Sequence, residues 1–151
     1  MTKPKFVYVT YIATTPERLW EALTSSEFTE KYFFGTKIES DWQEGSKVEY
    51  SREGQVTDHG IILKCEPYHV LSFTWNSIYD QADREEPSIV TFELKSLESS
   101  VKLTLKHENL VPTDIVEADN TFEGLNNGWP AILSNLKSLL ETGKTLPPIS
   151  L

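Results

Sequence analysis

One apolar stripe limits what this chain can fold into. From about Ile115 to Thr142, Phe122, Leu125, Trp129, Ile132, Leu133, Leu136, Leu139 and Leu140 recur at steps of three and four. That spacing is the mark of a helix with one buried face. Such a helix would run about 40 Å at 1.5 Å per residue, and Gly143 behind it supplies a left-handed stop. The residues ahead of it read mostly as strands. A long helix that follows a set of strands lays its stripe on their sheet, so the functional question is what lies between the two.

Lys5 to Ala13 is β-branched and aromatic and reads as the first strand. Thr14 with Glu17 fits a capping box, and Pro16 suits the first turn of a helix carrying Leu19, Trp20 and Leu23 on its apolar face. Ser25-Ser26 ends it and opens a second short helix, Glu27 to Phe33. Five strands follow: Lys47 to Arg52, about Asp58 to Cys65, Val70 to Trp75, Ser88 to Leu97 and Ser100 to Glu108. Turn signals at Gly45-Ser46, Glu53-Gly54, Glu66-Pro67 and Glu98-Ser99 mark their ends. In the last strand Val101, Leu103, Leu105 and His107 oppose Lys102, Thr104 and Lys106, as in an antiparallel sheet covered on one side. The acidic stretches Asp80 to Glu86 (which includes Asp83) and Asp114 to Asp119 read as solvated loops. The expected fold is α+β: one domain, 1–151, in which a curved antiparallel sheet grips a long C-terminal helix, with two short helices after the first strand.

Charge and composition exclude several classes of function. Fourteen basic against twenty-three acidic side chains give a net charge of -9. That balance argues against nucleic acid and against anionic membrane surfaces as partners. No apolar run approaches the roughly 18 residues of a membrane span, and the alternating N-terminus is unlike a signal peptide. With one cysteine, Cys65, an internal disulfide is impossible, and a reduced cytoplasmic setting is the default. His59, His69 and His107 lack metal-ligand spacing, so neither a metal nor another cofactor is expected. No nucleophile signature of the Ser-His-Asp or Cys-His kind is present, so no catalytic residue is assigned.

The positive signal is aromatic. Phe33, Phe34, Tyr50, Phe73, Trp75, Phe92 and Trp129 are placed on the concave face of the sheet or on the helix stripe, with Leu133 one turn beyond Trp129. Such rings either fill a core or wall a small-molecule pocket. His107 shares their face. It reads as a strand-end histidine at the rim, bonded to water or backbone, or as a polar handle or an acid/base at a cavity mouth, with Tyr50 as the other candidate polar anchor. Pro130, after Asn126-Asn127-Gly128, predicts a kink at mid-helix.

The order of elements resembles the START-like, or SRPBCC, helix-grip superfamily. Within it the chain is most similar to the family named for the activator of the heat-shock-protein-90 ATPase. The resemblance rests on Ala13-Thr14-Thr15-Pro16-Glu17-Arg18-Leu19-Trp20-Glu21-Ala22-Leu23-Thr24, on Glu66-Pro67 through Phe73-Thr74-Trp75, and on Gly128-Trp129-Pro130 through Leu136-Lys137. A departure is Tyr32-Phe33-Phe34 where the family has a tryptophan. The resemblance implies a binder of a small apolar or aromatic ligand as first reading. The second is a protein-interaction module with a chaperone partner. The third is a cyclase- or hydrolase-like enzyme using His107 and a cavity carboxylate. Monomer and homodimer are both open.

Overall fold

The computed structural model describes residues 3–80, 82 and 84–148; Asp83 and the first two residues of the chain, part of the readings above, lie outside them. The chain forms β1 (Phe6–Ile12), α1 (Pro16–Thr24), α2 (Ser26–Tyr32), β2 (Lys37–Ser40), β3 (Lys47–Arg52), β4 (Gln55–Glu66), β5 (Val70–Ser77), β6 (Ser88–Ser96), β7 (Val101–Glu108) and α3 (Leu125–Thr142). A single 3-10 turn, Pro112–Asp114, lies between β7 and α3. All seven strands join one antiparallel sheet in the order β1-β7-β6-β5-β4-β3-β2. The α+β helix-grip fold is therefore present, with one strand more than the sequence reading had.

That extra strand, β2, is four residues long and buries one apolar side chain, Ile38, too little for an alternating pattern. It is fixed by α2 instead. The Ser26 hydroxyl donates to the Ile38 carbonyl at 2.8 Å and accepts from the Ile38 amide at 2.9 Å. The cap of α1 also differs from expectation. Thr15, not Thr14, is the capping residue, and its Oγ1 accepts from the Arg18 amide at 3.2 Å. Pro16 takes the first helical position, which leaves the cap to the residue just before it. The Thr14 hydroxyl is buried without a hydrogen-bond partner.

The largest correction concerns α3. It is 18 residues long, about 27 Å at 1.5 Å per residue, and it starts ten residues after the expected point. Side chains of its first turn bind the preceding segment in a non-helical path. Asn126 Oδ1 accepts from the Val116 amide and its Nδ2 donates to the Val116 carbonyl, at 2.9 and 2.7 Å. Asn127 Nδ2 donates to the carbonyls of Ala118 and Glu123. Gly124 turns the chain into the helix at φ +89°, and a Cβ there would lie 2.8 Å from Val116. Phe122 therefore leaves the stripe and is 45% exposed. Pro130 falls in the second turn rather than at mid-helix. The stop is as expected: Gly143 adopts a left-handed conformation and its amide donates to Leu139 at 2.9 Å.

The stripe of α3, with Leu133, Leu136 and Leu139, packs on the inner face of the sheet, where Leu71, Phe73, Val90, Leu103 and Leu105 are buried. Glu141 Oε2 accepts from the Ala13 amide at 2.8 Å and tethers the end of the helix to the end of β1. Within the sheet, β4 lies against its antiparallel neighbour β5 so closely at Gly60 that a Cβ there would overlap the Thr74 carbonyl. Gly60→Ala is expected to cost about 1–3 kcal/mol through this forced shift, read as a lower urea midpoint at unchanged slope.

Candidate functional site

Trp129 enters the space under the sheet from the second turn of α3. Its ring meets Phe33, Phe92 and Trp75 edge to face, with centroids 6.1, 6.0 and 5.9 Å away. Tyr50, on β3, bridges Phe33, Phe73 and Trp75 at 5.6, 6.1 and 4.9 Å. Seven residues chosen from sequence thus come together: Phe33, Tyr50, Phe73, Trp75, Phe92, His107 and Trp129. Leu133 joins the same buried cluster one turn along. Phe34 does not join. Its φ of +51° reverses the chain after α2 and turns the ring outward, leaving it 52% exposed.

His107 is fully buried, not a rim residue bonded to water or backbone. Its Nδ1 accepts from the Trp129 indole N–H at 3.0 Å, and its Nε2 lies 2.8 Å from the Ser88 hydroxyl. An indole nitrogen only donates, so Nδ1 carries no proton and Nε2 does. Nε2–H then donates to Ser88, whose hydroxyl donates to the Trp75 carbonyl at 3.2 Å. The direction of this relay prevents His107 from taking the Ser88 proton, which speaks against a serine nucleophile here. Burial drives the His107 pKa down to about 4, with the Asp114 carboxylate opposing and the Arg84 cation adding to the shift.

A cleft of about 350 Å³ opens between the first turns of α3 and strands β3 to β5. Phe33, Trp75, Trp129, Phe122, Leu125 and Ile132 wall it, Gly128 leaves its helix side open, and Arg52, Thr57, Asp58 and Ser77 form its polar end. A smaller annex of about 180 Å³ adjoins it past Trp75 and Leu125, with Ser88 and His107 at the back. Phe73, Phe92, Tyr50 and Leu133 support the walls from behind.

One wall of the annex is an ion-pair clasp. Arg84 binds Asp80 through Nε and Asp114 through both terminal nitrogens, and Asp114 also accepts from the Val111 amide at 2.9 Å. The Arg84 hydrogen bond holds the Asp80 carboxyl below its ordinary range. Burial pushes Asp114 the other way, but Arg84 and the Val111 amide outweigh it and keep it low. The sequence pattern predicts both acids as solvated loop residues; instead both are ion-paired to Arg84, with Asp114 half-buried and Asp80 exposed. At the polar end, burial raises the Asp58 carboxyl against hydrogen bonds from Thr57 and Ser77 and the field of Arg52. Arg52 Nε donates to Thr36 Oγ1 at 2.7 Å, and its guanidinium lies over the Phe33 ring at 6.0 Å.

Arg52, Asp58, Arg84 and Asp114 were not chosen from sequence. Asp58 left a signal, a carboxylate inside a strand between Val56 and Ile62. Arg84 and Asp114 left none, since 30 residues separate them.

With this geometry in hand, the likeness to known proteins is specific in fold. The family model described as "Activator of Hsp90 ATPase homolog 1-like protein" matches residues 13–141. A crystal structure from Mesorhizobium loti aligns with TM-score 0.71 at 27% identity, covering 91% of this chain and 96% of that one. A solution structure from Cytophaga hutchinsonii gives 0.71 and 27%, with 93% and 95% covered. The Aha1 dimer from Colwellia psychrerythraea gives 0.71 at 20% identity, with 93% and 98% covered, a likeness of fold alone. The search of curated proteins by sequence returned no match.

Proposed function

This chain belongs to the activator of Hsp90 ATPase homolog 1-like family, and on that premise we propose that it binds a small apolar or aromatic molecule, without catalysis, between the sheet and α3. The observation that carries this reading is the cleft of about 350 Å³ with Phe33, Trp75 and Trp129 on its walls. That volume falls within the range of small-molecule sites, and rings with a few polar groups at one end are their usual lining. A ligand that buries roughly 300 Å² of apolar surface gains about 7 kcal/mol, offset in part by the freedom it loses.

Gly128 provides the test. A Cβ at this position would meet only the Phe122 carbonyl, at 3.8 Å, so Gly128→Leu places a side chain in the cleft without displacing backbone. Leucine also favours a helix over glycine by close to 1 kcal/mol. The neutral fluorescent probe N-phenyl-1-naphthylamine is expected to bind the wild type and to bind Gly128→Leu at least about tenfold more weakly. The variant's urea midpoint should be equal or higher. Equal binding to both proteins would remove the cleft from consideration.

A second reading, an interaction module for a chaperone or other protein, is supported by β1. This edge strand exposes Val7, Val9 and Tyr11 in one row, and apolar rows on exposed edges are common protein contacts. A cytoplasmic setting is part of the proposal, supported by the single unpaired thiol of Cys65. No helix among the described residues is long and apolar enough to cross a membrane.

A further inference from the structure

We infer that the cleft selects an apolar or aromatic molecule carrying one carboxylate, received by the guanidinium of Arg52; this deepens the cleft reading and rests on it. Arg52 stands where the aromatic walls end and lines the cleft itself. Its position is set by two contacts, the 2.7 Å hydrogen bond from Nε to Thr36 and the face of Phe33. Among the described residues the ion pairs join Lys37, Lys64, Arg84, Lys106 and Lys137 to carboxylates, and none involves Arg52. Its only side-chain hydrogen bond to a described residue is the one from Nε. Both terminal nitrogens are therefore without a partner among the described residues, held in the planar fork that matches a carboxylate.

The neighbouring acid shows which kind of polar group is wanted. Asp58 Oδ2 accepts from the Thr57 hydroxyl at 2.9 Å, and Ser77 bonds the same carboxyl. Asp58 thus already accepts two hydrogen bonds at this end of the cleft, whereas the terminal N–H groups of Arg52 have no partner among the described residues. A ligand that completes the site brings acceptors. A cationic ligand would face Arg52 at the same mouth. Asp58 also limits the anion, since a second negative charge would be repelled at short range.

Three probes of one shape separate the possibilities: 2-naphthoate, 2-naphthamide and 2-naphthylmethylammonium, titrated by calorimetry at pH 7. The carboxylate is expected to bind the wild type at least tenfold tighter than the amide. In Arg52→Met that ratio should fall to within about twofold of unity, and in Arg52→Lys it should be intermediate. Asp58→Asn should tighten 2-naphthoate by severalfold. Urea unfolding of each variant guards against loss of fold, because Arg52→Met also removes the Thr36 bond. Equal affinity for acid and amide in the wild type, or an ammonium preference, overturns the Arg52 assignment and leaves the cleft standing. Binding of none of the three, together with failure of the neutral dye, overturns the cleft and the assignment with it.

Discussion

Trp129→Ala is expected to lower stability by about 3–5 kcal/mol, the cost of removing a large aromatic side chain from a packed core. Trp129 is buried and touches rings from Phe33, just after α2, and from β5, β6 and β7, so no single neighbour can move to fill the void. The indole N–H is also the donor that satisfies His107 Nδ1. Trp129→Phe restores most of the volume but leaves Nδ1 unpaired, and a loss of about 1–3 kcal/mol is expected from the buried acceptor alone. Urea denaturation followed by far-UV circular dichroism measures both. An alanine variant close to wild type would mean that the ring lies in a space already loose, which its four aromatic contacts exclude.

Acid should act through the same residue. His107 has a pKa of about 4 in the fold against about 6.5 in an unfolded chain. Between these values the unfolded state holds the extra proton, so stability rises with pH across the window. The contribution is fully present above pH 6.5 and is lost as pH falls to about 4, on the order of 3 kcal/mol in all. The geometry agrees in sign, because a doubly protonated ring would point N–H at N–H toward Trp129. Comparison of wild type with His107→Gln isolates the effect from the carboxylates. Their difference in unfolding free energy at pH 7 should shrink by most of that amount at pH 4.5. An unchanged difference would show that His107 is protonated in the folded state at a far higher pH.

The parts of the fold legible in sequence are those where one pattern dominates. Val101, Leu103, Leu105 and His107 alternate over a full strand, and the stripe from Leu125 to Leu140 keeps its period; both lie on the covered faces expected. Legibility stopped where a side chain competes with the backbone. Phe122 extends the stripe in spacing, yet Asn126 and Asn127 bind the carbonyls before them and Gly124 breaks the path, so the helix starts late. The aromatic residues of the site were chosen by parity and most of them meet. The polar residues were missed because their roles depend on contacts distant in sequence, as between Arg84 and Asp114 or Arg52 and Thr36. His107 shows the boundary: its face was legible, but its partners, an indole and a serine, were not.

The central claim is that a ligand lodges between the sheet and α3, and the chain contains its own reporters for it. Four tryptophans yield four indole N–H signals in a proton–nitrogen correlation spectrum. Trp75 and Trp129 line the cleft, whereas Trp20 packs beside Tyr68 and Trp42 lies elsewhere on the core. Titration with 2-naphthoate should move the Trp75 and Trp129 signals along a saturating curve and leave those of Trp20 and Trp42 in place. Four stationary signals, or movement confined to Trp20 and Trp42, would contradict the account.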